Sequence, residues 1–111
     1  GFAKKSEKAA AMEKQRLMWE QFCQKYSGKL SAEETRASRE EALQMLEKKD
    51  TLPPIRLKIA KYISDGYTLE RNLPKALEYL EIARDADPES QAAKKLEPWI
   101  DNMRKHINQE K

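Results

Sequence analysis

The chain has 111 residues, of which 39% are hydrophobic and 37% charged, with three glycines, one cysteine and a net charge of +3. That length suits one domain burying roughly two thirds of its unfolded surface, and the composition favours charged helices over strands or a disordered tail. The lone Cys23 excludes an intrachain disulfide, and with a single His106 it excludes a zinc cluster.

Basic and acidic residues alternate closely, as in "LERNLPKALEYLEIARDAD", so most of the charge reads as a solvated face rather than as a phosphate-binding stripe. No apolar run approaches the ~20 residues needed to cross a bilayer, and the chain shows no signal-peptide core. Gly1 reads as a cloning scar, and residues 1–6 are expected to be disordered or foreign to the native chain.

The first helix is expected from about Lys5 to Tyr26, because Met12, Trp19, Phe22, Cys23 and Tyr26 recur at helical intervals. Ser27-Gly28 stops it, with Gly28 in a left-handed cap and Leu30 folded back over the last turn. "SAEE" at 31–34 is a capping box that opens a second helix, whose apolar side gathers at Ala42, Leu43, Met45 and Leu46. Pro53-Pro54 ends that helix and opens a third, expected to run to about Asp65 with Ile55, Ile59, Tyr62 and Ile63 inward.

A fourth helix, from about Pro74 to Ala86, carries apolar residues on two sides and is expected to lie between neighbours. Asp87-Pro88-Glu89 reads as the start of a fifth, with aspartate as the cap and proline at the first position. Pro98 falls within it, but Ala92, Leu96, Trp99, Ile100, Met103 and Ile107 keep one phase. One helix, bent outward at the proline, is the expectation.

The stretch "YISDGYTLERNLPKALEYLEIARDADPES" at 62–90 resembles a tetratricopeptide-type repeat and, still more, a Sel-one-like repeat. In the Sel-one-like frame Tyr62, Gly66, Leu69, Lys75, Ala76, Tyr79 and Ala83 fall in register, while Thr68, Asn72 and Arg84 depart from it. In the tetratricopeptide frame Tyr67, Ala76, Leu80, Ala83 and Pro88 match, while Ala60 and Ser64 stand where that family has tryptophan and glycine. Either frame implies a helical hairpin in which Ala76 and Ala83 let two backbones approach and Gly66 ends the first helix in a left-handed turn.

A weaker copy lies one repeat upstream. Glu41 overlays Lys75, 34 residues on, and Ala42, Leu43, Met45, Leu46 and Pro54 overlay Ala76, Leu77, Tyr79, Leu80 and Pro88. The overlay fails where Lys48 and Lys49 stand for Ile82 and Ala83. The resemblance, clear over 55–88 and loose over 19–54, implies an all-α miniature solenoid of about five helices: two antiparallel hairpins plus a C-terminal capping helix, in one domain.

No nucleophile with a base, metal set or glycine-rich phosphate loop stands out, so no enzymatic activity, cofactor or small-molecule substrate is expected. His106 fits a favourable interaction with a helix dipole, and Cys23 reads as a small buried hydrophobe. Recognition remains. The resemblance implies a groove lined by the first helix of each hairpin, which points to Lys58, Lys61 and Asp65, suited to an acidic side chain or a terminal carboxylate of a peptide or protein. Solubilising lysines are the plain alternative. A scaffold or adaptor is the leading expectation, with a bacterial origin implied by the frequency of such repeats there; an oligomerisation domain meeting another copy through Met12, Trp19 and Trp99, and a nucleic-acid-binding domain, are the alternatives.

Overall fold

The computed structural model describes residues 2–109, with side chains from Ser6 onward. Gly1, read as a scar, lies outside the described residues. Five helices follow one another: α1 (Phe2–Lys25), α2 (Ala32–Glu47), α3 (Pro53–Leu69), α4 (Leu73–Ala86) and α5 (Gln91–Gln109). Among the described residues there is no strand, and no helix is long and apolar enough to cross a membrane. The Cα radius of gyration is 15.3 Å against about 13 Å for a typical compact domain of this length. The excess agrees with a shape drawn out to 54 × 32 × 21 Å.

α1 begins at Phe2, so residues 2–6, expected to be disordered, are helical. Nothing in "FAKKSEKAAA" breaks a helix, and lysine, glutamate and alanine are good helix formers. Ser6 to Ala10 are all exposed, so this end of α1 owes its helicity to propensity rather than to packing.

The expected start of α2 holds, but the helix ends at Glu47 with Lys48 as its C-cap, ahead of the Pro53-Pro54 pair expected to stop it. Gly28 is left-handed at φ 79°. The Ser31 hydroxyl accepts the Glu34 amide at 3.1 Å, and the Ser31 amide donates to the Glu34 carboxylate at 3.0 Å. Ser38, Ala42 and Leu46 form the one buried stripe of α2.

α3 runs four residues past the expected end, straight through Gly66. The left-handed residue that closes it is Arg71, at φ 62°. The Arg71 amide donates to the Thr68 carbonyl at 3.0 Å and the Asn72 amide to the Tyr67 carbonyl at 2.9 Å. These two bonds make a Schellman closure. Asn72, where the Sel-one-like pattern has aspartate, caps α4 through its side-chain oxygen, which accepts the Lys75 amide at 3.3 Å.

The start of α5 also differs from expectation. Asp87 to Ser90 form a turn, with the Ser90 amide donating to the Asp87 carbonyl at 3.0 Å, and Ser90 rather than Asp87 accepts the Ala93 amide at 3.1 Å. Along α5 Leu96 and Ile100 are buried as expected, but Ala93 is buried where Ala92 was expected, and Trp99 stays 55% exposed. The helix does continue through Pro98, which faces solvent.

α3 is the central element, buried along Ile55, Ile59 and Ile63 and also along Leu57, Ala60 and Ser64. It packs on α4, α2 and α1, while α4 lies between α3 and α5. Ala76 and Ala83 are fully buried. The buried Ser64 hydroxyl donates to the Ala76 carbonyl at 2.6 Å, so the contact of α3 with α4 carries a hydrogen bond where the tetratricopeptide frame has glycine.

The first pair of helices is built differently. α1 packs on α3 rather than on α2. Trp19 and Phe22 stack at 5.0 Å and meet the Tyr62 ring edge-on at 5.7 and 5.1 Å. The expected first hairpin is therefore open, because the buried stripe of α2 and the large rings of α1 both turn to α3.

Candidate functional site

α3 is opened by two prolines and closed by the Arg71 turn, and one of its stripes faces solvent. Lys58, Lys61 and Asp65 lie on that stripe at helical spacing. The Lys61 ammonium is 2.9 Å from the Asp65 carboxylate and 5.0 Å from the centre of the Trp99 ring on α5. Lys61 is thus held on two sides, by a carboxylate and by an aromatic face. Lys58 is exposed and makes no ion pair among the described residues. The fold brings all three predicted residues onto one surface and adds Trp99, whose exposure the apolar phase had concealed.

The other motif residues have structural places. Tyr62 receives the aromatic residues of α1. Lys75 pairs with Glu78 at 3.3 Å on the surface, Tyr79 stacks on Tyr67 at 5.8 Å, Leu80 is buried, and Pro88 is exposed in the turn before α5. Gly66 is half-buried, with nothing within 4 Å of where a Cβ would stand.

Beside Asp65 and Gly66 a cleft of about 450 Å³ opens between the α1–α2 loop and α3, walled by Tyr26, Leu30, Arg39, Tyr62 and Leu69. Arg39 is committed: it pairs with Glu70 at 2.6 Å and lies 4.5 Å from the centre of the Tyr67 ring. The Tyr26 hydroxyl donates to Glu41 at 2.6 Å, and Lys25 reaches the same carboxylate at 3.1 Å. That hydrogen bond from Tyr26 holds the Glu41 carboxyl below the ordinary carboxylate range, with Lys25 adding to the effect, and pushes the Tyr26 hydroxyl above its own against the opposing Lys25 charge.

Cys23 is exposed rather than buried. The buried line of α1 runs through Phe22, and the next residue falls outside it. Partial burial against the helix surface pushes its thiol up, and the nearby Lys58 charge does not reverse this. A raised thiol is a poor nucleophile. His106 is exposed, with Nδ1 2.9 Å from the Asn102 carbonyl. Among the described residues no three His, Cys, Asp or Glu side chains gather to hold a metal ion.

Two features escaped the sequence. One is the place of Trp99 beside Lys61, since the sequence offered Trp99 only for contact with another copy, and the other is the open groove between α1 and α2, whose only sequence signal was the failed overlay at Lys48 and Lys49. No family model, curated protein or solved structure matches the chain.

Proposed function

We propose that this chain is a non-enzymatic interaction module of the tetratricopeptide or Sel-one-like kind, a scaffold or adaptor that docks a peptide or protein segment. Its contact surface is the Lys58–Lys61–Asp65 stripe of α3 together with Trp99. The observation that carries the reading is the pairing of an exposed tryptophan with two lysines on one helical face: Trp99 is 55% exposed and Lys61 lies over its ring at 5.0 Å. An exposed aromatic beside cations suits a segment that offers a carboxylate and an apolar neighbour. Elsewhere Arg16, Arg39, Arg84 and Arg104 are paired with carboxylates, which disfavours a phosphate-tracking surface.

The test is fluorescence anisotropy with an array of short acidic peptides bearing free or amidated C-termini. Binding that falls at least about tenfold in Lys58→Glu/Lys61→Glu and in Trp99→Ala supports the reading. Peptides that bind both variants as well as the parent chain place the interface elsewhere, and an array without binders rejects the surface. A second reading, self-association, is favoured by Leu69 at 84%, Trp99 at 55% and Leu17 at 45% exposure. A single monomer in sedimentation velocity, unchanged with concentration, eliminates it.

A further inference from the structure

The unclosed pair α1–α2 leaves a groove. Two cavities of about 270 and 430 Å³ share Met18, Met45 and Lys48, and so run into one another along the gap. The deeper one is floored by Ile55 and Ile59 of α3, both almost fully buried. Side-chain ties mark the two ends. The Gln15 amide nitrogen donates to the Asp50 carbonyl at 2.8 Å while its oxygen accepts the Leu52 amide at 2.8 Å. At the other end Tyr26 and Lys25 both hold Glu41. From Gln15 to Lys25 the wall is ten residues, ~15 Å of helix.

We propose that this groove receives an acidic amphipathic helix of a partner protein, which sets one or two aliphatic side chains against Met18 and Met45 and its carboxylates against Lys14 and Lys48. The inference rests on the reading of the chain as an interaction module and gives it a second docking surface, on the far side of α1 from Lys58. Three observations select the occupant. The walls are helices, whose backbone groups are bonded internally, and the Gln15 amide is already used at both ends. An extended peptide would find no ladder there, whereas a helix brings its own hydrogen bonds.

The span is the second. Anchors at i, i+3 or i+4 and i+7 cover ~10 Å of helix and fit between the two ties. Charge is the third. Lys14 and Lys48 line the groove and make no ion pair among the described residues; of the two carboxylates on its lining Glu41 is already neutralised by Lys25, which leaves two lysines against the single carboxylate of Asp50. Methionine walls are also adaptable, and suit an anchor whose exact shape is not prescribed.

The test uses the whole chain with ¹³C-methyl-labelled methionine and a synthetic 16-residue probe, leucine on one face and glutamate on its flanks. A twin carries lysine in place of glutamate. Expected results are that the glutamate probe shifts the Met18 and Met45 methyl signals but not that of Met103. The lysine twin should bind at least about tenfold more weakly, as should the glutamate probe to Lys14→Glu/Lys48→Glu, which alters only exposed side chains. Lys58→Glu/Lys61→Glu should bind the probe unchanged, so failure of the α3 surface and failure of the groove are separable. No saturable shift below about 1 mM, shifts at Met103 instead, or equal binding of both twins would overturn the proposal.

Discussion

Replacing Gly66 by alanine separates two accounts of one residue. If Gly66 ended α3 in a left-handed turn, a Cβ there would cost about 1 kcal/mol or more. In the structure Gly66 lies inside α3, is absent from the residues of positive φ, and has nothing within 4 Å of a built Cβ. Alanine then gains what glycine loses in a helix interior, about 0.8–1.0 kcal/mol, because the unfolded chain is less free and no neighbour must move. Unfolding entropy of ~2.1 cal/mol/K per residue gives ~0.23 kcal/mol/K for a chain of this size, so Tm should rise by about 3–4 °C. Thermal unfolding followed by circular dichroism, with a urea titration to check an unchanged m value, reads this directly. A fall in Tm would show that α3 ends at Gly66 after all, and the cleft beside it would have to be redrawn.

The true left-handed positions should answer with the opposite chemistry. Arg71→Gly relieves a non-glycine at φ 62° and should stabilise by about 0.5–1 kcal/mol, while Gly28→Ala at φ 79° should cost about 1 kcal/mol or more, both by urea denaturation. Ala83→Leu puts a large side chain at a fully buried contact and should cost about 1–3 kcal/mol, measured the same way. Glu41 has a depressed carboxyl, so its contribution is present above the ordinary carboxylate value of about 4.3 and is lost as pH falls through the lowered one. Stability profiles between pH ~5 and ~2.5 should therefore fall less steeply in Glu41→Gln than in the parent chain; identical profiles would remove the Tyr26–Glu41 tie. Tyr62→Ala should destabilise by about 3 kcal/mol and raise amide exchange along α1 first, since Tyr62 is the platform for Trp19 and Phe22.

What the sequence made legible was punctuation and periodicity. Ser31 with Glu34, Gly28, the prolines that open α3 and the continuation of α5 through Pro98 are each set by a few neighbouring residues, and each lies where expected. The misreadings came where two local signals competed. Gly66 and Arg71 both lie near the end of α3; a glycine suits a left-handed turn, but the turn formed where the Schellman bonds could close onto Asn72, itself the cap of α4. Asp87 and Ser90 were rival caps, and Pro88 favoured a turn before the helix as much as the helix itself. The stripe of α5 was read on the correct side, through Leu96 and Ile100, but at its margins Ala92 was named for Ala93 and Trp99, at the exposed edge, was taken to be inside. Of the candidate site, the α3 stripe was visible as spacing, whereas Trp99 and the groove depend on how whole helices sit.

Apolar stripes account for which helices touch. α4 carries two, along Ala76, Leu80 and Ala83 and along Leu77 and Ile82, and it has two neighbours, α3 and α5. α3 carries two broad ones and holds the centre. α2 has a single buried stripe, Ser38, Ala42 and Leu46, and spends it on α3. α1 also has one, and its large rings are taken up by Tyr62 of the same helix. Two helices with one buried stripe each, both committed to a third, leave Met18 and Met45 facing one another across a gap. The gap left between them is the lysine-edged groove with methionine walls.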